Sequence, residues 1–398
     1  MNEEAPRGVS RREVLAGPGA AGLSALAAPS AFAAQNAAAA PARGAGAPVV
    51  MKQGDYAKVP LRQEAINVSA IQSRLLSVDV KNRDATMKRS LDHVVRLIDY
   101  AQGSGEEWGG QRLWGAKQDL ICMHEFPIQG FQPWNRAELN RIAFDLPGPE
   151  SEVIGARARH YGCYITFGCY ARDKDWPNHV INMSVVVGPD GTIVSKQWKA
   201  RNILGWFGGI GLIGTTVYDV LDRYVEMYGW DATLPIARTD IGNIAVTAVG
   251  MEPMLYQALA LKGAEIMILT VTGGSNAETA TQSARMTRTY TIGVGNAVSP
   301  DNPGFVESAG ARDEGSVIVD PRGTALAKAT GHHEDIVTAR VPIGDFRKTR
   351  TPAEFPMALL LPVFQQYEPS FLPNAFLEQL PNSYQEAGAL LQKRMNRK

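Results

Sequence analysis

Two ten-residue stretches constrain this chain more than anything else in it. Residues 185–194 read VVVGPDGTIV and residues 316–325 read SVIVDPRGTA. Each is a β-branched run broken by a turn of Pro, Gly and Asp, the pattern of a β-hairpin. Each stands late in a series of alternating strands and helices. In the first series residues 65–71, 119–123, 163–170, 180–187 and 192–197 read as strands, and 84–103 and 150–161 as helices. In the second, residues 244–249, 265–270, 291–298, 315–319, 326–328 and 336–341 read as strands. Its helices are 254–262, closed by Gly263, and 284–290. Such alternation, with antiparallel hairpins added, specifies an α/β fold with mixed sheets. The likeness of the hairpins points to two related halves, each a sheet with helices on one side.

Composition narrows the function. Forty Lys and Arg balance forty Asp and Glu, so no basic excess exists to neutralise phosphates and a dedicated nucleic-acid binder is excluded. No apolar run reaches the ~20 residues of a spanning helix, so no stable membrane insertion is expected. Three cysteines are too few for a disulfide scaffold, and no Cys/His spacing suits zinc. Residues 205–214 are glycine-rich but lack the strand–glycine–helix context of a phosphate loop. No cofactor or metal is therefore expected.

The ends of the chain read differently from its body. Ser10-Arg11-Arg12-Glu13-Val14-Leu15, a soft Ala/Gly/Leu stretch and Ala31-Phe32-Ala33 resemble a twin-arginine export signal over residues 1–33. The expectation is transient use of the twin-arginine machinery and a periplasmic or secreted product. Residues 34–60, rich in Ala, Pro and Gly, read as a flexible linker. Residues 61–350 form the main domain. Residues 351–398 carry prolines at 352, 356, 362, 369, 373 and 381, cannot continue a sheet, and read as an extension or arm.

Three segments together carry a resemblance. They are Asp119-Leu-Ile-Cys-Met-His-Glu125-Phe-Pro-Ile-Gln-Gly130; Asn182 with the hairpin that leads to Lys199; and Gly242-Asn-Ile-Ala-Val-Thr-Ala-Val249 with Pro253 and the run Ala258 to Glu265. In order and spacing, residues 65–345 resemble the nitrilase, or carbon–nitrogen hydrolase, superfamily, with a layout nearest to amidases and carbamoylases. The resemblance implies a four-layer α-β-β-α sandwich, a small-molecule substrate and a homodimer or larger assembly. It also implies a Glu as general base, a Lys that stabilises the tetrahedral intermediate, and a nucleophilic Cys. Glu125 matches the base, at a strand tip walled by Phe126 and Pro127. Lys199 matches the lysine, and Lys196 is the solvated neighbour. Asn182, Glu226 and Trp206 are candidates to line the substrate pocket. Glu226 is the nearest match to a second, substrate-positioning glutamate. Trp206-Phe207-Gly208-Gly209 and Tyr218, Tyr224 and Tyr228 are candidates for a lid or wall.

The third position departs from the pattern. Counted forward from Ile244 the nucleophile falls on Val249; counted back from Pro253 it falls on Thr247. Cys122 is three residues before Glu125 and faces away from it. Cys163 and Cys169 lie roughly 20 Å apart along one strand, too far to pair. Thr247 supplies a hydroxyl, and Glu252 a carboxylate that activates water or attacks directly. His124 reads as structural and His332-His333 as solvated. Three functions remain open: an amide-type C–N hydrolase with an atypical nucleophile or activated water, an inactive binding or assembly relative, and the same scaffold running another hydrolysis or a hydration.

Overall fold

The computed structural model describes residues 46–103, 117–202, 212–250, 252–272, 277–297, 299, 315–331 and 333–395. The expected export signal, Trp206 to Gly209 and His332 lie outside the described residues.

Among the described residues, thirteen strands build two sheets. In the first half these are β1 (Ile66–Gln72), β2 (Leu120–Met123), β3 (Phe144–Asp145), β4 (Tyr164–Arg172), β5 (Ile181–Val187) and β6 (Ile193–Trp198). The second half has β7 (Ala237–Thr239), β8 (Gly242–Thr247), β9 (Ile266–Thr270), β10 (Tyr290–Val294), β11 (Val317–Val319), β12 (Ala325–Lys328) and β13 (Asp335–Val341). One sheet runs β13-β1-β2-β4-β5-β6, with β3 on the end of β4; the other runs β12-β11-β10-β9-β8-β7. Both hairpins form, β5 with β6 and β11 with β12. The last strand does not stay with its own half. It crosses to pair antiparallel with β1, from Ile66 opposite Val341 to Gln72 opposite Asp335.

Side-chain alternation sorts the strands into layers. Val68, Leu120, Cys122, Ile244, Val246, Ile266 and Ile292 meet in one cluster between the two sheets. Their neighbours Ile71, Ile121, Met123 and Ile165 pack on the other face of the first sheet with Val94, Ile98 and Ile154. Those three come from α1 (Arg83–Ala101) and α3 (Pro149–Tyr161); a short α2 (Arg136–Ile142) lies between. Ala245, Met267 and Leu269 face Tyr256, Leu259, Ala280 and Ala284 of α5 (Pro253–Leu261) and α6 (Ala277–Thr287). Three apolar seams separate four layers, which is the expected α-β-β-α sandwich.

The boundaries differ from expectation where loops compete with strands. β8 stops at Thr247 rather than 249, and β10 at Val294 rather than 298, while α6 starts seven residues before 284. Gly263 ends α5 at φ +94°, and a Cβ there would meet the Tyr56 ring at 2.8 Å. The expected flexible linker is corrected for residues 46–60. The Met51 amide donates to the Leu261 carbonyl at 2.7 Å, and the Tyr56 hydroxyl to buried Glu265 at 2.7 Å.

Beyond β13 the chain forms α7 (Ile343–Thr349), α8 (Met357–Gln366), α9 (Ala375–Glu378) and α10 (Tyr384–Met395). Phe371, Phe376, Tyr384 and Leu390 enter the core of the first half. The buried Arg136 guanidinium ties them down by donating to the carbonyls of Pro381 (2.8 Å) and Ile213 (3.1 Å).

Candidate active site

Glu125 stands in the turn after β2, and its neighbours hold that turn from both sides. The His124 ring is wholly buried. Its Nδ1 accepts the Phe126 amide at 3.3 Å, and its Nε2 lies 2.8 Å from the Ser73 hydroxyl. Burial pushes the His124 pKa down to about 3, so the ring is neutral and Nε2 carries the proton toward Ser73. On the other side the Gly168 amide donates to the His124 carbonyl at 3.1 Å. A Cβ on Gly168 would stand 2.1 Å from the Glu125 carbonyl oxygen, so this strand position admits glycine alone.

Lys199 follows β6. Its amide donates to the Asn182 carbonyl at 2.9 Å, and its carbonyl accepts the Val217 amide at 3.0 Å. The Lys199 ammonium reaches Glu125 Oε1 at 2.9 Å, and Asn182 Nδ2 reaches the same oxygen at 2.7 Å. All three side chains are buried: Glu125 and Lys199 are 5% exposed and Asn182 4%. The structure thus brings together three of the residues singled out from sequence. Two atoms of the trio are left over. Glu125 Oε2 receives no hydrogen bond among the described residues, and Asn182 Oδ1 is buried without a partner. Lys196 is exposed and turns away to the Leu146 carbonyl.

The wall around the carboxylate is aromatic. Phe126 stacks on Tyr170 with centroids 4.1 Å apart, and Phe131 meets Tyr384 edge-on at 6.4 Å. Burial raises the pKa of both Tyr170 and Tyr384, and the Glu125 charge adds to each shift. Tyr384 belongs to α10, so the C-terminal extension completes this wall. Nothing in the proline pattern of residues 351–398 announces that role.

The second half is brought to the same end of the sandwich. Gln197 Oε1 accepts the Val246 amide at 2.8 Å, which ties the end of β6 to β8. Arg201 forms an ion pair with Glu252 at the start of α5. Glu252 is therefore near the segment that follows Lys199, but it is engaged by Arg201. Thr247 has the parity of Ala245 and faces the helices, whereas Val246 faces the first sheet. Its hydroxyl accepts the Val249 amide at 3.2 Å. Val249 itself is buried, and its carbonyl takes the Tyr256 hydroxyl at 2.8 Å. Neither position counted for the nucleophile holds a thiol. The three cysteines are free and buried. Burial pushes Cys122 up to about 12 and Cys163 to about 11, and raises Cys169 as well. All three remain thiols at neutral pH.

Glu226 is corrected as a pocket residue. It lies on the exposed face of α4 (Leu221–Tyr228). A second carboxylate near Lys199 is that of Asp219, which sequence reasoning missed. Its Oδ2 accepts the Thr216 amide at 2.9 Å, the Thr216 hydroxyl at 2.6 Å and Asn202 Nδ2 at 3.2 Å. Burial raises its pKa to about 6, although Thr216, Arg136 and Lys199 oppose the shift. The available signal was one acid, Asp219, in the otherwise uncharged stretch from residue 212 to 221. Of the tyrosine series, Tyr224 and Tyr228 pack edge-to-face with Trp198 and Trp176 in one aromatic cluster rather than forming a lid. Tyr218 lines a narrow cavity with Arg201, Asn202, Asp219, Phe371 and Phe376.

An α-β-β-α sandwich with a buried carboxylate–ammonium pair at the strand ends of one half defines the class. The chain belongs to the carbon–nitrogen hydrolase family, whose model matches residues 83–351. Among curated relatives it is 26% identical over 234 residues to the bifunctional nitrilase/nitrile hydratase NIT4A of Lupinus angustifolius. It is 23% identical over 232 residues to NIT4B of Nicotiana tabacum, an enzyme of the same description. Each match covers 52% of this chain, and the chain spans only 59% of the length of either relative. Among solved structures it resembles Nit3 of Saccharomyces cerevisiae, a member of branch 10 of the nitrilase superfamily. That match has a TM-score of 0.50 and 16% identity, over 73% of this chain and 96% of that one.

Proposed function

We propose that this chain is an exported hydrolase of amide-type C–N bonds that uses water in place of a cysteine nucleophile. One observation carries the reading: the Glu125–Lys199–Asn182 trio keeps one carboxylate oxygen and one carboxamide oxygen unbonded. Glu125 Oε2 takes a proton from water as the water oxygen bonds to the substrate carbonyl carbon. The Lys199 ammonium stabilises the oxyanion that forms. Asn182 Oδ1 accepts an N–H of the substrate amide, a donor its burial otherwise denies it. The C–N bond then breaks, and the proton on Glu125 passes to the leaving nitrogen. Lys199 and Glu125 are in direct contact, so the reacting group lies beside the pair.

The test is turnover of a panel of small amides, carbamoyl compounds and nitriles, the last included because the plant relatives are described as nitrilases and nitrile hydratases. Release of ammonia or amine that survives iodoacetamide and is lost in Glu125→Gln is the expected result. A panel without turnover, together with ligand-induced thermal shifts, assigns the chain to the binding relatives instead. Export is supported by Ser10-Arg11-Arg12 and the Ala31-Phe32-Ala33 site. Retention in the cytoplasm of wild type, or export unchanged in the Arg11→Lys, Arg12→Lys variant, refutes it.

A further inference from the structure

Among the described residues, the second half supplies no group to the Glu125–Lys199–Asn182 contact, yet it reaches the base from another side. The place is the end of β1, at Gln72, Ser73 and Arg74. Two segments of the second half are fastened there. The Ala297 amide donates to the Ser73 carbonyl at 2.9 Å, and the Ser299 hydroxyl to the Leu75 carbonyl at 2.6 Å. Just before β13, the carbonyls of Gly331 and His333 each accept from Gln72 Nε2 at 2.8 Å. Glu334 follows them. Its Oε2 accepts the Arg74 amide at 3.1 Å, stands 3.5 Å from the Arg74 guanidinium, and lies 2.6 Å from Nε2 of buried His93 on α1. Burial works against the Glu334 charge, but His93 and Arg74 hold its pKa below the ordinary carboxylate range. One carboxylate of the second half thus grips both β1 and α1 of the first.

Arg74 is joined to Ser73, whose hydroxyl lies 2.8 Å from His124 Nε2, and His124 Nδ1 accepts the Phe126 amide at 3.3 Å. Glu125 stands between the two residues joined by that last bond. Energetic coupling is carried by such contiguous bonded groups. It is electrostatic here as well: burial keeps His124 neutral, while Ser73 and the Glu334 charge oppose that effect. The backbone of β4 already closes the turn at Gly168, which leaves the Ser73 side to fix where the carboxylate stands.

We propose that Glu334 is a positioning residue for Glu125, acting through Arg74, Ser73 and the His124 ring. The second half then sets the geometry of a base that the first half holds. Its effect on turnover rests on the hydrolase reading above; its effect on the His124 ring does not.

The experiment compares wild type, Glu334→Ala, Ser73→Ala and the double variant, by steady-state turnover of the amide panel and by nitrogen NMR of the His124 ring. Each single substitution is expected to lower kcat about tenfold or more with KM held within about twofold, as displacement of a reacting group does. The double variant is expected to be no slower than the slower single one, because the two residues act in series. Glu334→Gln keeps an acceptor for the Arg74 amide and is expected to recover most of kcat. The His124 Nε2 resonance is expected to move in Glu334→Ala, with an unchanged far-UV spectrum. Should that variant misfold, Glu334→Gln carries the test, since it removes the charge that His124 senses and the resonance must still move. A His124 resonance that stays in place overturns the proposal, whether or not any amide is turned over. So does wild-type kcat in Glu334→Ala, or losses that multiply in the double variant. A wild type without turnover overturns the hydrolase reading alone, and the resonance then decides on Glu334.

Discussion

The two sheets follow one plan. Each runs from an antiparallel edge strand through three parallel strands into an antiparallel hairpin: β13, then β1-β2-β4, then β5-β6 in one, and β7, then β8-β9-β10, then β11-β12 in the other. Their strand ends are not alike. In the first half the turn after β2 holds Glu125 and the end of the hairpin holds Lys199. At the matching places of the second half stand Val271 and Ala329, and neither Thr247 nor Val249, the two positions counted for the nucleophile, is a cysteine. The sandwich is held by three apolar seams distributed over both halves, so it tolerates this inequality. The site rests on three polar side chains and does not. Symmetry of fold therefore says little about division of labour, and in the proposed reaction the first half supplies both the base and the cation.

The comparison breaks most visibly at the base. Glu125→Gln is expected to reduce turnover about a thousandfold, within the range assigned to general acid–base catalysis, with the fold retained. If turnover persists, the first half does not hold the active group. Removing the cation tests stability as well. Lys199→Ala strands a buried carboxylate and should lower unfolding free energy by about 3–5 kcal/mol. Adding Glu125→Gln to that variant should recover much of the loss in urea titrations.

Asp219 sharpens the comparison through pH. Its pKa in the folded state is pushed up to about 6 by burial, above the ordinary aspartate value of about 4. The folded state therefore holds this proton more tightly. The stability it contributes is complete below about pH 4 and is lost as pH rises through 6. The total is about 3 kcal/mol, from about two pKa units. Asp219→Asn should be level over that window, and the difference between wild type and variant, followed by thermal melts from pH 4 to 7, isolates this one group. A difference that does not vary with pH removes Asp219 from the account.

Smaller effects follow. Gly168→Ala, by pressing on the Glu125 carbonyl, should cost about 1–3 kcal/mol and lower turnover in the same variant. Thr247→Val should leave turnover unchanged, since its hydroxyl faces the helices. A loss there would restore the second half as the source of the nucleophile.

Much of this was legible in the chain. The hairpins and most strand cores follow from runs and turns that are local, and local patterns express themselves in the sequence, whereas Glu125 and Lys199 were brought together only by the family resemblance. Asp219 was not legible, because its proximity to Lys199 comes from two backbone bonds, Val217 to Lys199 and Tyr218 to Ala200, that join segments eighteen residues apart. Glu226 is the nearest glutamate by order along the chain, but helix α4 turns it to solvent. Tyr384 was further from reach, since it meets Tyr170 from the far end of the chain.

By itself the sequence determined the α/β class, the two-half plan and the absence of a cysteine at the elbow, because alternation, turn residues and the identity of a side chain are properties of short segments. Only the tertiary structure decided that β13 joins the other half, that Thr247 points away from the pair, and that the extension splits into a buried wall and an exposed arm. Those outcomes depend on which surfaces remain to be covered once the seams close, and that is settled in space, between residues that are far apart in the chain.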